Sequence, residues 1–293
     1  MIQFNYIRDL VTLANEKSIT IADIVLKYEA KKSQLSEEFL RKQMKENWQV
    51  MKEAAHKGIL KNEKSASGLV GGDARSINNY LSKDSENFSG ATVLKTAAYA
   101  VAISEVNAAM GKIVACPTAG SCGILPAAIL AAVEKYPVSE DKIVDALFTA
   151  AGIGIIIARN ASIAGAQGGC QAECGSAAGM SAGALVCLAG GTPEQIGDAV
   201  ALAIKNLLGL VCDPVAGLVE VPCVKRNGFA AVHAMLAADM ALAGVKSVIP
   251  VDEIIEAMYK IGLAIPKSLR ETSEAGLADT PTARKFEGQI HKI

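Results

Sequence analysis

Ile143-Val-Asp-Ala-Leu-Phe-Thr-Ala-Ala-Gly-Ile-Gly-Ile-Ile-Ile-Ala158 and Ser176-Ala-Ala-Gly-Met-Ser-Ala-Gly-Ala-Leu-Val-Cys-Leu-Ala-Gly-Gly191 are the stretches whose reading decides the fold. A membrane span needs roughly 20 apolar residues in a row. Each stretch has only 16, the first holds Asp145, and the second is rich in Gly and Ala. Flanking basic residues are scarce, so no positive-inside asymmetry can be read. Both are therefore expected to be buried helices at the centre of a helical bundle, with no membrane partner. Charge supports this. Residues 143–219 carry seven charged side chains in 77, whereas residues 1–66 carry 21. The first segment must be solvated on one face, and the second must be largely buried.

Working outward, residues 1–66 read as charged amphipathic helices. Ile21, Ile24, Val25 and Tyr28 fall on one helical stripe. Ser36 before Glu37 and Glu38 reads as an N-cap with acids in the first turn, opening a helix that runs through Trp48 and Met51 to Gly58. Ser65–Asp73 is a loop, and Ala91–Met110 is again helical in composition. Ser139 opens the helix that holds Ile143, Leu147 and Phe148, and Thr192-Pro-Glu-Gln195 is a capping box with Pro at the first helical position. Pro126 is expected at another N1 position. The one short β-like run is Leu218–Cys223, where the proline suits an edge or a turn.

The chain has 293 residues, enough for a core that needs neither disulfide nor metal merely to fold. Apolar residues make up 51% and aromatics only 4%, with 26 Gly, and mean hydropathy is +0.29. That mixture suits closely packed helices and excludes intrinsic disorder. The fold class expected is mainly α: one domain over 1–293, with the site carried by a buried helical core over 90–250. Lys plus Arg total 29 against 30 Asp plus Glu, and this balance argues against nucleic acid as a partner. No signal peptide is read at the N-terminus, and the seven cysteines are an odd number, so a reducing, cytoplasmic setting is expected.

Three histidines leave little room for acid–base chemistry. His56 lies near a helix end, and His291 lies in the tail. His233 shares a stripe with Phe229, Leu236 and Met240 and reads as a satisfied core histidine. Among the cysteines, no C-x2-C pair supports structural zinc or a redox dithiol. Cys187 reads as a small buried hydrophobe. Cys170, Cys212 and Cys223 each sit beside Gly or Pro, in irregular backbone where thiolates from separate segments could converge. Pro117–Gly123 is a Gly-rich loop running into a helix. Its free N–H groups and hydroxyls suit a carboxylate, although an ordinary turn would read the same way.

Glu105–Gly111, Pro117–Ser121, Asn160–Gly165, Gly169–Glu173 and above all Gly209-Leu-Val-Cys-Asp-Pro-Val-Ala-Gly-Leu-Val-Glu-Val-Pro-Cys-Val-Lys-Arg-Asn227 closely resemble the iron–sulfur L-serine dehydratase alpha chain. The likeness continues through Arg270–Ser273 and Gly276–Ala278. That family holds a [4Fe–4S] cluster on three cysteines, and Cys170, Cys212 and Cys223 match its spacing, with 41 and 10 residues between them. The resemblance implies a PLP-independent lyase that converts L-serine to pyruvate and ammonia, an open iron serving as Lewis acid. Single-chain members fuse a further domain ahead of this region, and some end in a cysteine that reaches the active site. Neither feature is seen in this sequence, which implies an alpha subunit that works with a beta subunit. The general base is expected from that subunit, with Lys225 and His233 as candidates on this chain. Thr118, Gly120 and Ser121, with Asn160 nearby, are the candidates for the substrate carboxylate, and Arg226 reads equally as a further anchor or as a surface charge. An L-cysteine desulfidase, an electron-carrying iron–sulfur protein and a helical interaction module with merely buried thiols are the competing readings.

Overall fold

Helices begin where the sequence supplies caps. The computed structural model describes residues 2–82 and 87–290, so His291 lies outside the described residues. In chain order the helices are α1 (Ile7–Lys17), α2 (Ile21–Ser33), α3 (Glu37–Leu60), α4 (Asp73–Leu81), α5 (Ala91–Ala108), α6 (Ile124–Lys135) and α7 (Glu140–Asn160). There follow α8 (Gly165–Gly168), α9 (Ser176–Leu188), α10 (Pro193–Lys205), α11 (Cys223–Leu242), α12 (Val251–Ala264) and α13 (Pro281–Ile290). Ser36 accepts from Phe39 N–H at 3.1 Å and Ser139 from Lys142 N–H at 3.4 Å. Thr192 and Gln195 close the expected capping box. Pro126 falls at the third helical position rather than the first, because α6 starts at Ile124. Its missing N–H costs nothing there, since first-turn donors have no intrahelical acceptor.

The fold is mainly α. Among the described residues no strand forms, and the one β-type contact is a parallel bridge between Cys212 and Arg270. The run Leu218–Cys223 is loop and the start of α11, not a strand. No helix is long and apolar enough to cross a membrane among the described residues.

Helix α9 is the centre, buried from Ser176 to Val186 and packed by α6, α7, α10 and α11. Its small residues permit this. A Cβ on Gly183 would lie 2.4 Å from Ile153 Cδ1 of α7, and one on Gly179 would lie 3.0 Å from Ile204 Cγ1 of α10. A helix that is apolar on every side has no solvent face to offer, so it is surrounded. The charged amino-terminal helices form an outer layer: α1 on α10, α2 on α7 and α3 on α5. Ile21, Ile24 and Val25 are buried as their spacing required, and the Tyr28 ring lies 4.7 Å from that of Phe4. Arg41 reaches Asp145 of α7 at 2.7 Å, which explains the one charge inside that apolar stretch.

The Phe229–Leu236–Met240 stripe of α11 faces outward, with Phe229 at 79% exposure. The buried face of α11 is instead Gly228, Ala230, Ala231, Ala234, Ala237, Ala238 and Ala241. Small residues let it approach α5 and α9 closely, so the large ones are left outside. His233 is nonetheless satisfied, with Nε2 2.9 Å from the Ala203 carbonyl oxygen of α10.

Contact between α3 and α5 is close at Gly58, where a Cβ would sit 2.3 Å from the Ala102 carbonyl oxygen. Gly58→Ala is expected to lower stability by about 1–3 kcal/mol through overpacking, overriding the roughly 1 kcal/mol that alanine adds to helix propensity. Gly288→Ala in α13, where a Cβ meets open space, should be neutral or stabilising. Denaturant midpoints of the two variants check this, and equal shifts would contradict the close approach.

Candidate active site

Three helix starts meet at one end of the bundle. The single-turn segment Ala119–Ser121 leads into α6, the π-helical turn Gln171–Gly175 leads into α9, and these two turns and the start of α11 lie against one another. The helix dipoles make this pole favourable for anions.

Each of the three cysteines is placed by a local device. Cys170 follows Gly169, whose φ is +76°, and a Cβ at that glycine would lie 2.9 Å from Ile265 Cδ1 and from the Leu210 carbonyl oxygen. Gln171 then fixes the turn from both ends of its amide: Nε2 donates to Met258 O at 2.8 Å, and Oε1 accepts from Gly209 N–H at 2.9 Å. Cys212 lies in extended chain, donating its N–H to Leu269 O at 2.9 Å and accepting from Glu271 N–H at 2.7 Å. Cys223 is the first residue of α11. All seven cysteines are free thiols.

The thiols interact with one another. The hydrogen bond shared with Cys174, whose sulfur is 3.4 Å away, and the Arg226 guanidinium pull the Cys170 thiol below its ordinary range despite its burial. Burial pushes Cys212 well up, with the Cys170 thiolate and Glu173 adding to the shift. Burial likewise raises Cys223, to about 12, with Cys170 and Glu173 adding and Arg226 opposing. Arg226 is only 19% exposed and is held by Asp213 at 2.9 Å and by the Val211 carbonyl oxygen at 2.9 Å. It is therefore a buried cation beside Cys170, not a surface charge. Among the described residues no group of three or more His, Cys, Asp or Glu side chains is arranged to hold a single metal ion.

Thr118 and Ser121 do come to this pole, their hydroxyls 3.1 Å apart, and Thr118 Oγ1 donates to Glu173 Oε1 at 2.8 Å. Burial holds the Glu173 carboxyl above the usual range, against that hydrogen bond and with Glu271 adding. Gly165 keeps the space beside it open. A Cβ there would lie 2.8 Å from Glu173 Oε2, 3.0 Å from Cys212 Sγ and 3.2 Å from Glu271 Oε2. A Cβ on Gly120 would lie 3.0 Å from Glu173 Oε1.

Other candidates are used elsewhere. Asn160 donates Nδ2 to Asn5 O at 2.6 Å and to Ile156 O at 3.0 Å, anchoring the amino-terminal segment rather than the Thr118 loop. Lys225 pairs with Asp73 of α4 at 2.6 Å. His56 is exposed, its ring edge-on to Tyr99 at 6.2 Å. Cys116 and Cys122 are buried, and Cys116 Sγ lies 3.4 Å from the Cys122 carbonyl oxygen.

Four residues with structural roles here were quoted in motifs without a role: Glu173, Asp213, Glu220 and Asn227. Asn227 is fully buried, accepts from Gly123 N–H at 2.9 Å, and donates to Gly120 O at 2.7 Å and Cys223 O at 2.9 Å. Asp213 holds Arg226 and accepts from Leu277 N–H at 2.8 Å. Glu220 accepts from Ser65 at 2.7 Å and from Ser67. Glu173 and Asp213 were visible as charges in the charge-poor stretch, where a buried charge requires a partner.

Asn227→Leu keeps bulk but orphans two backbone groups, Gly123 N–H and Gly120 O, each costing about 1–3 kcal/mol where water cannot replace the bond. Its urea midpoint is expected to fall accordingly, with faster hydrogen exchange in residues 117–123. A change under about 0.5 kcal/mol, typical of surface substitutions, would show that the amide does not fasten this loop.

Residues 16–278 match the family model described as serine dehydratase alpha chain. The chain is 50% identical over 287 residues to a protein of Bacillus subtilis (strain 168) named probable L-serine dehydratase, alpha chain, covering 98% of this chain and 95% of that one. It is 44% identical over 282 residues to the L-serine dehydratase, alpha chain, of Peptoniphilus asaccharolyticus, covering 96% of each. L-serine dehydratase 2 of Escherichia coli (strain K12) is 37% identical over 281 residues, which are 92% of this chain and 60% of that one. With its thiol-lined pole and this similarity along nearly its whole length, the chain belongs to the serine dehydratase alpha chain family.

Proposed function

We propose that this chain is the alpha subunit of a PLP-independent L-serine ammonia-lyase that works in the cytoplasm with a beta subunit, and that Cys170, Cys212 and Cys223 hold a [4Fe–4S] cluster. The observation that carries the reading is that the free thiols of Cys170, Cys212 and Cys223, from three separate segments, lie near enough to feel one another's charge. The donor set fits such a group. A polynuclear cluster takes its thiolates on different irons, so its ligands stand apart instead of closing on one ion. The thiols feel one another's charge, Arg226 offsets the negative charge beside Cys170, and glycine at 165 leaves the space next to Cys212 unfilled.

Three thiolates on four irons leave one iron open, and when bound the cluster supplies a Lewis acid for the β-hydroxyl of serine, worth several kcal/mol of transition-state stabilisation. The rest falls to the chain's own side chains. Thr118 and Ser121, with the Gly120 backbone N–H, orient the substrate carboxylate at the entrance to α6. Glu173, steadied at Oε1 by Thr118, presents Oε2 to the gap beside Gly165 and attracts the substrate ammonium. Arg226 is occupied by Asp213 and Val211, so it holds the Cys170 segment in place and does not bind substrate. With Lys225 paired to Asp73 and His233 bonded to Ala203, neither is free to take the α-proton, and that base is assigned to the beta subunit.

The test is iron and acid-labile sulfide per chain after anaerobic co-purification with a beta partner, in the native protein and in Cys212→Ala, together with pyruvate formed from L-serine. About four of each are expected in the native protein, largely lost along with activity in the variant. Pyruvate formation by iron-free protein would sink the reading. Sulfide release from L-cysteine in preference to pyruvate from serine would replace the substrate.

A further inference from the structure

A second concave site lies behind the segment that carries Cys170. It is a cavity of about 330 Å³ between residues 161–172 and α12, at the small end of the range for ligand pockets. Ala166, Met258, Tyr259 and Leu263 form apolar walls, and the one charged lining group is Arg270. None of Cys170, Cys212, Cys223 or Thr118 lines it.

Among the described residues four of the seven arginines make no ion pair, and of these only Arg270 has a buried guanidinium nitrogen without a hydrogen-bond partner. Arg41, Arg226 and Arg284 each pair with an aspartate, at 2.7, 2.9 and 3.1 Å. Among the described residues Arg270 makes no ion pair, and its guanidinium engages only the Gln167 carbonyl oxygen, at 3.2 Å through Nη1. Its Nε is buried with no hydrogen-bond partner. A guanidinium has five N–H donors in a planar fork. Arg270 is half-buried, but withdrawing its Nε donor from water without a partner is costly, and an anionic acceptor in the adjoining cavity would restore the balance.

We propose that this cavity binds the carboxylate of a small organic acid, with Arg270 as its anchor. A planar carboxylate matches the guanidinium fork, and an apolar body suits the alanine, methionine and leucine walls. Phosphate is disfavoured because its oxygens call for several donors and the cavity has a single cation. Gly168 and Ala172, two residues to either side of Cys170, form part of the wall, so an occupant braces the turn that carries that thiol. The inference stands apart from the lyase reading, since it needs neither the cluster nor turnover.

The experiment titrates the full chain with sodium propionate by isothermal titration calorimetry and by saturation-transfer NMR. Propionamide, a neutral isostere, and inorganic phosphate serve as the other probes. A saturable propionate site is expected that is at least about tenfold weaker in Arg270→Gln, partly retained in Arg270→Lys and unaffected by Thr118→Val, which alters the separate Thr118 loop. Ala166→Phe, which fills the rim from an exposed position, should abolish binding without disturbing the core, and it decides the matter if Arg270→Gln fails to fold. The proposal is overturned by absent propionate binding, by binding unchanged in both Arg270→Gln and Ala166→Phe, or by propionamide or phosphate binding as well as propionate.

Discussion

A helix buried on every side can meet solvent or ligand only at its ends, and this constraint on α9 shapes the rest of the molecule. Its glycines and alanines let four helices close around it, and every one of those contacts excludes water from its length. Its flanks are closed to ligand, and the titratable groups gather at its amino-terminal end, where Cys170 precedes the π-helical turn carrying Glu173 and Cys174 and where the starts of α6 and α11 arrive beside it. Their dipoles add at that pole, where thiol and carboxyl groups gather.

The loops that complete the pole have little apolar surface of their own and are fastened by buried polar side chains. Asn227 joins the Thr118 loop to the start of α11. Asp213 ties Arg226 to the returning segment at Leu277, and Ser273 adds a bond to Pro214 O at 2.6 Å. Glu220 takes two serines of the 65–69 loop. Each fastening is worth little in net free energy while intact and costs much more when one partner is removed. That asymmetry makes the site rigid without a sheet beneath it.

Much of this was legible beforehand, and the failures share a cause. Ser36, Ser139 and Thr192 marked their helices because a cap is a local interaction decided within four residues. Ile21, Ile24 and Val25 read correctly because a charged outer helix has one apolar face. On α11 the usual rule misled: large apolar residues were expected inside, but the neighbours come so close that only Gly and Ala fit between backbones. Asn160 and Lys225 were plausible by residue type, yet each had a distant partner, Asn5 and Asp73, that no spacing within their own segments reveals.

The sequence by itself determined the helical class and the buried status of the Ala/Gly stretch, because composition and capping are carried by neighbouring residues. Only the tertiary structure decided that Arg226 is buried against Asp213, that Glu173 faces the gap beside Gly165, and that Arg270 has no counter-charge. Those facts depend on how segments pack against one another in space, not on their spacing along the chain. Burial and Coulomb energy are properties of the assembled environment, not of any one segment.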